Sequence, residues 1–540
     1  MRKIVAFSLV VLLLAGMFSL TGCGSNNRSP AATETTAAVE TTAAPTAPEV
    51  KADARLGDEL PKPAPANPSK TALNLSLPQG VANLDPHNYV AAVDYMVSKQ
   101  IYEALLFRDD QSIYHPQLAT DYTMSDDGLT YTFTLRKGVK FTNGEVMTAA
   151  DVVYSFQRAA QKSQILATNV APIDSVSKVD DGTVQFKLKY KCAPFLGDVA
   201  AVAIVNAKQC EAAGDKFGDQ PCGTGPYMLD SQTANISLSL KANPDYWWGA
   251  AQIQKVNFKV ITDPSSAYLA FQAGELDEVQ VPTANWQDVK ASGKWATQEV
   301  ATTAVSYIQY NNEVEPFKNK LVRQAINYAI SRDDMLAIAM DGLGKTTSVM
   351  SPPEFVFGAT NDCTQYTYDP EKAKQLLKEA GYPNGFDGGA ILTIAGYFEK
   401  MASVLQQNLA DVGIKTRVET REFSSYLDDV MKGNYTLSTL TVSLDPDMDA
   451  YDVLYDTATI NNLNMARYSN KQVDDLFAQG KSATDPEKRK EIYKQIIQIV
   501  QDDAVYAPCF DTIVPIAYNK QLTYKNYISS VRLYECSWNQ

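Results

Sequence analysis

The sequence predicts a mixed α/β protein of two or three lobes carried behind an export leader. Three observations predict it. The chain of 540 residues is too long for one hydrophobic core. From residue 71 onward its composition is globular, with large apolar and aromatic side chains throughout. And residues 128–158, GLTYTFTLRKGVKFTNGEVMTAADVVYSFQR, set strand and helix patterns side by side.

The elements follow in chain order. Arg2 and Lys3 give a positive end, and residues 4–20 are an apolar run barely long enough to span a bilayer, so a retained membrane anchor is one reading. Leu20-Thr21-Gly22-Cys23 favours the other: it resembles a bacterial lipobox, in which small residues admit a signal peptidase and the Cys23 sulfur accepts a diacylglycerol. The expectation is a leader over 1–22 and an acylated Cys23 holding the chain to the outer face of the cell membrane. Residues 23–70 are mostly Ala, Thr, Pro, Glu, Ser and Asn; they bury too little surface to offset chain entropy and are expected to form a disordered tether.

In the folded part, Tyr131-Thr132-Phe133-Thr134-Leu135-Arg136 alternates apolar and polar as a half-buried strand does. Val139-Lys140-Phe141 is expected to be a short second strand, and Asn143-Gly144 a turn. Thr148, three residues before Asp151, begins a helix through Val152, Val153, Phe156 and Ala160. A helix-like run covers 322–339, and residues 371–380 form another helix after Tyr368-Asp369-Pro370. The net charge of −14 with dispersed acids argues against nucleic acid and against an electrostatic grip on anionic lipid. Besides Cys23 there are Cys192, Cys210, Cys222, Cys363, Cys509 and Cys536. An even count permits disulfides without proving them; a Cys210–Cys222 bridge would contribute ~3 kcal/mol in the chain-entropy model. No Cys/His spacing points to zinc, and neither metal nor cofactor is expected.

The segment 128–158 resembles the signature region of family 5 of the bacterial extracellular solute-binding proteins, the peptide- and nickel-binding receptors of ABC importers. Further landmarks stand in the family's order: Leu84-Asp85-Pro86-His87, Tyr102-Glu103-Ala104-Leu105-Leu106, Gly223-Thr224-Gly225-Pro226-Tyr227, Asn243-Pro244-Asp245-Tyr246-Trp247-Trp248, Gly274-Glu275-Leu276-Asp277, and Val322-Arg323-Gln324-Ala325-Ile326-Asn327-Tyr328. The resemblance implies a bilobal periplasmic-binding-protein-like flytrap with an extra subdomain in the first lobe. Lobe I would take 71–115, 222–305 and 511–540, the subdomain 116–221, and lobe II 306–510. Strand crossings near 306–311 and 507–515 would form the hinge. The implied role is a non-enzymatic receptor that binds a small solute, most readily a short peptide, and delivers it to an ABC permease. A nickel chelate, an oligosaccharide or an opine on the same fold is the alternative solute class; a secreted hydrolase or a surface adhesion protein is the alternative from outside the family.

Peptide-binding members hold the ligand's α-ammonium on a lobe-II aspartate in a segment reading roughly GW-x-x-D. The matching stretch here, Thr441-Val442-Ser443-Leu444-Asp445, puts Asp445 at the carboxylate position, with Val442 in place of the tryptophan. Asp447, Asp449 and Tyr451 follow closely, and Asp447 and Asp449 are alternative carboxylates. A solvated acidic turn is the plainer reading of the same residues. The opening segment adds His87 and Tyr89 as ligand contacts, and the stretch after Gly274-Glu275-Leu276-Asp277 adds Trp286, although a tryptophan there is more often core. Two enzyme-like patterns are rejected. Residues 339–346 fit a relaxed P-loop, but a working P-loop follows a strand and opens a helix. Ser175-Val176-Ser177-Lys178 spells SxxK without its companion motifs.

Overall fold

The computed structural model describes residues 56–59, 70–109, 113–163, 165–350, 363–445, 447–524, 526–527 and 530–539. The leader, Cys23 and nearly all of the tether lie outside them.

The folded chain begins with the strand Ala72–Leu77, whose Leu73, Leu75 and Leu77 are buried while the residues between are half-exposed. It pairs in parallel with Lys255–Val260, and Ser237–Ala242 and Tyr227–Thr233 complete a four-stranded sheet. A second four-stranded sheet, antiparallel throughout, has the order Ala119–Met124, Thr130–Leu135, Thr183–Leu188, Ile173–Asp180. Both sheets feed one apolar cluster, which the end of the chain closes with Leu522, Leu533, Tyr534 and Trp538. Trp538 Nε1 donates to the carbonyl of Ala72, so the two ends of the folded part meet.

Within this lobe the strand expected at 131–136 is Thr130–Leu135, and the helix begun by Thr148 is Ala149–Lys162. Its capping box is formed: Thr148 Oγ1 accepts from the Ala150 amide and Asp151 Oδ2 accepts from the Thr148 amide. The second strand expected at 139–141 is corrected to a single bridge, Lys140 to Val146. Gly138 and Gly144, both at positive φ, turn the chain on either side and leave too few residues for a ladder.

The family landmarks converge on one buried carboxylate. Glu103 accepts from Thr224 Oγ1 at 2.8 Å, Tyr246 Oη at 2.7 Å and Trp247 Nε1 at 2.9 Å, so three separate motifs meet at it. Burial pushes its carboxyl above the usual range, and the three donors hold it down against that push. Gly223 lies where a Cβ would stand 2.1 Å from the Ile101 carbonyl oxygen, so only glycine lets the turn rest on that backbone. Asp85 likewise joins motif to motif: its two oxygens receive both Nη atoms of the buried Arg158 at 2.9 and 2.5 Å.

The second core contains only residues from Val305 to Phe510. Its sheet has seven strands: Glu278–Gln280, Tyr506–Tyr518, Ala296–Tyr310, Leu437–Ser443, Phe386–Ile394 and Ile414–Arg421 in order, with Lys345–Thr346 beside Tyr506–Tyr518. The helical run expected over 322–339 is two helices, Lys320–Ala329 and Arg332–Met340. Ile330 is extended, and Ser331 starts the second helix as its N-cap, accepting from the Asp334 amide. That second helix ends inside the P-loop-like residues, whose last two, Lys345 and Thr346, form a strand, so no helix N-terminus is present there to hold a phosphate.

Ala296–Tyr310 and Tyr506–Tyr518 pair antiparallel over most of their length and belong to both halves of the molecule. The first is alternately exposed over residues 296–302 and continuously buried from Thr303 onward, where it enters the second core. The register breaks between Ala301 and Val305. Hydroxyl contacts cluster at the break: Thr302 Oγ1 to the Thr512 carbonyl at 2.9 Å, Thr303 to Ser443 at 2.8 Å, and Ser306 to Thr441 at 2.6 Å. The six cysteines from Cys192 to Cys536 are buried, and the Cys210–Cys222 bridge considered from sequence is not formed.

Candidate functional site

Polar groups from the two lobes face each other beside the segment that ends Leu437–Ser443. On the lobe-I side, Arg108 ends the strand Leu106–Arg108 and pairs across the hairpin with Tyr114. Its Nη1 and Nη2 donate to Asp445 Oδ1 and Oδ2 at 2.8 and 2.7 Å, a two-pronged ion pair joining the lobes. Asp445 Oδ1 also accepts from the Asp447 amide, which folds the segment into an Asx turn. A backbone bond, Ala193 amide to Lys481 carbonyl at 2.9 Å, ties the lobes a second time.

Behind Asp445 the acids are committed within lobe II. Arg489, on the helix Pro486–Asp502, donates to both oxygens of Asp447 at 2.8 and 2.7 Å and to Asp449 Oδ2 at 2.6 Å. Tyr493, one turn further along the helix, hydrogen-bonds Asp449 Oδ1. Burial, aided by the neighbouring Asp447, pushes the Asp449 carboxyl up to about 6 even though Arg489 acts against the shift. Facing this group from lobe I, Asp198 accepts from Asn169 Nδ2 at 3.0 Å and from the Cys192 thiol at 3.5 Å. Burial raises its carboxyl to about 7, and the charges of Asp445 and Asp449 add to the rise.

The residues expected from sequence are not gathered in one place. Asp445 and Asp447 stand together at the lobe junction, the first on Arg108 and the second on Arg489. Tyr451 is inside the lobe-II core, where it lines a cavity of about 10 Å³ with Met448, Tyr455 and Val500. His87 is fully buried in lobe I, its Nε2 against the Ala203 carbonyl at 2.8 Å, and burial lowers its imidazole to about 4. Tyr89 is half-buried against the ring of Tyr95, with centroids 5.1 Å apart. Trp286 is 1% exposed in a small cluster with Phe271 and Val289, its Nε1 donating to Glu299. His87, Trp286 and Tyr451 are thus all buried, Trp286 and Tyr451 within apolar clusters and His87 among polar partners of lobe I. Val442, standing where the family has tryptophan, lines an apolar cavity of about 20 Å³ with Tyr307, Leu454 and Met465. Nothing in the sequence pattern marks Arg108, Asp198 or Arg489. Only the position of Arg108, directly after the Tyr102–Leu106 landmark, carries a signal. Among the described residues no cluster of His, Cys, Asp and Glu has the geometry to hold a metal ion, and no helix is long and apolar enough to cross a membrane.

A family model described as bacterial extracellular solute-binding proteins, family 5 Middle, matches residues 114–463. The chain belongs to this family. Among its curated relatives, the heme-binding protein A of Haemophilus influenzae is 32% identical over 447 residues, covering 76% of this chain and 81% of that protein. A glutathione-binding protein of Salmonella choleraesuis is 30% identical over 462 residues, 82% of this chain and 89% of the relative. Among solved structures, the periplasmic binding protein DppA of Helicobacter pylori, in complex with the peptide STSA, superposes with a TM-score of 0.72 at 26% identity, over 87% of this chain and 98% of the other. As a family-5 member this chain is a solute-binding protein on a bilobal α/β scaffold, and the facing polar groups of Arg108, Asp198 and Asp445 lie where its two lobes meet.

Proposed function

We propose that this protein is an extracytoplasmic receptor that closes two lobes over a small peptide-like solute and presents it to an ABC importer permease. The observation that carries the reading is the pair of long antiparallel strands, Ala296–Tyr310 and Tyr506–Tyr518, which run through both halves with an interrupted ladder between them, while ionic groups from the two sides meet beside them. A ligand touching both lobes gains affinity only in the closed arrangement and so shifts the population toward it. We assign lobe I to 71–115, 222–305 and 511–540 with its subdomain at 116–221, and lobe II to 306–510; the core over residues 73–258 and 522–538 and the separate one over 305–510 support the division. Two relatives are described as binding glutathione and the peptide STSA, and both ligands carry peptide bonds and charged ends. The function needs no chemistry on the solute and no cofactor. Acylation at Cys23 would hold the receptor on the outer face of the membrane, with residues 24–70 as its tether.

The test is closure without turnover. Adding a mixed pool of di- and tripeptides to the purified folded part should reduce its radius of gyration and raise its melting temperature, with every retained peptide recovered intact by mass spectrometry. Cleavage of the retained peptides, or no change of shape with any of them, would refute the reading. Asp445→Ala should weaken a retained peptide by roughly 2–5 kcal/mol if Asp445 carries its ammonium.

A further inference from the structure

The composition of residues 23–70 predicts a disordered tether, yet residues 56–59 are seated on lobe I. Leu56 is the first leucine after Leu20, and it packs against the lobe-I cluster. The Gly57 amide donates to the Tyr114 carbonyl at 2.8 Å. The Asp58 carbonyl accepts from His115 Nδ1 at 2.8 Å, and Glu59 Oε1 accepts from Arg136 Nη2 at 2.6 Å. The receiving surface is held in place by its own contacts. Arg136 lies over the Trp247 ring at 4.2 Å and donates through Nε to the Gln117 carbonyl at 2.8 Å. Asp109 fastens the hairpin: its amide donates to the Ile113 carbonyl at 3.0 Å, and its Oδ1 accepts from the Ile113 amide at 2.9 Å. A Cβ at Gly57 would stand 2.8 Å from the His115 ring and 2.9 Å from the Ile113 side chain, so the close approach requires glycine.

One ring makes this seat conditional. His115 Nδ1 faces the Asp58 carbonyl, and Nε2 faces Asp109 Oδ2 at 2.9 Å. Both oxygens are acceptors only, so the imidazolium alone fills both bonds. We propose that residues 56–59 are a clasp by which the tether binds lobe I, and that His115 tightens it in acid and slackens it in alkali. Asp109 raises the imidazole above its ordinary value; burial opposes the rise, the Asp58 carbonyl supports it, and the Arg532 guanidinium, paired with Glu535, works against it. A raised value means that the second bond is complete below the ordinary value and is lost as pH climbs through the raised one. Tyr114, which receives Gly57, pairs across the hairpin with Arg108, so the tether is held beside the lobe junction. With Cys23 acylated as proposed above, the free leash is the 33 residues 23–55 and not the 48 residues 23–70, a full reach of about 110 Å in place of about 160 Å. The clasp keeps the receptor nearer its membrane, and alkaline conditions lengthen the leash.

The experiment is amide hydrogen exchange, followed by mass spectrometry, on the full chain in detergent with no solute added. Wild type, Gly57→Val and His115→Gln are compared at pH 5 and pH 8, with rates normalised to a free synthetic peptide covering the same segment. In wild type the 56–59 segment should exchange at least about tenfold more slowly than the peptide at pH 5, and that slowing should fall at least about threefold at pH 8. Gly57→Val should exchange at the peptide's rate at both pH values while its melting temperature stays within about 2 °C of wild type, because residue 57 lies outside both cores. His115→Gln should show weaker slowing, equal at the two pH values. Exchange of the wild-type segment at the peptide's rate, or full slowing retained in Gly57→Val, would overturn the clasp. Equal wild-type slowing at both pH values, or pH dependence retained in His115→Gln, would overturn the role of the ring. If His115→Gln fails to fold, Gly57→Val and the wild-type pH dependence decide. Because no solute enters the measurement, its outcome is independent of the receptor reading.

Discussion

Replacing Arg489 by Met should unlock the segment that carries Asp445. The Arg489 side chain is 8% exposed, and it neutralises Asp447 and Asp449, themselves 19% and 10% exposed. Methionine keeps much of the volume and removes three charge-assisted bonds, so two carboxylates are left without their cation in a largely dry site. Breaking a buried pair from one side costs about 3–5 kcal/mol, which for a lobe of this size lowers the melting temperature by about 6–20 °C. The loss should depend on pH in a definite direction. Asp449 titrates near 6 in the folded protein, above its ordinary value of 3.8, so between those values the native state binds more protons than the unfolded chain. The stability contribution of Asp449 is therefore greatest in acid and declines as pH rises through 6. Without Arg489 the carboxyl moves higher still, so the variant should lose more stability at pH 8 than at pH 5, where protonation relieves the crowding. Chemical denaturation at the two pH values measures both effects. A loss below about 1 kcal/mol at pH 8, or a larger loss at pH 5, would refute the reasoning.

Three further outcomes are expected. Asp198→Asn should be no less stable than wild type at pH 8 and should flatten the fall in stability between pH 4 and 7, because the carboxyl raised to about 7 is costly only when charged; denaturation across that range decides it. Gly223→Ala should cost about 2 kcal/mol or more, since its Cβ meets backbone that cannot rotate away, and a drop in melting temperature of only a degree or so would count against it. Cys23→Ala should release the protein from the membrane fraction; a variant that stays bound with residues 1–22 intact would favour a transmembrane anchor instead.

How far the sequence could be read depended on whether a residue's partners lie nearby in the chain. The capping box at Thr148 and Asp151 is local, as is the alternation in Thr130–Leu135, and both are formed as the pattern implies. The break at Ser331 escaped the pattern because Ile330 continues the apolar spacing while its backbone is extended. The family landmarks identify the fold for a physical reason: Glu103, Thr224, Tyr246, Trp247, Asp85 and Arg158 bind one another, so they are fixed by packing rather than by ligand. That is also why His87, two residues beyond Asp85, led away from the lobe junction. Arg108 and Asp445 are separated by more than three hundred residues and have no periodic signature, so their meeting is visible only in the folded chain.

The Trp538–Ala72 contact bears on how this protein is made. Lobe II is built from one uninterrupted stretch, whereas the core of lobe I contains residues from both extremes of the folded chain. Synthesis runs from the N-terminus, so the lobe begun first is the last to be completed, and it waits for Leu533 and Trp538 before its interior is sealed. A polypeptide bound for the far side of a membrane gains from that order: its leading half stays loose enough to be threaded, and compaction finishes once the final residues have arrived.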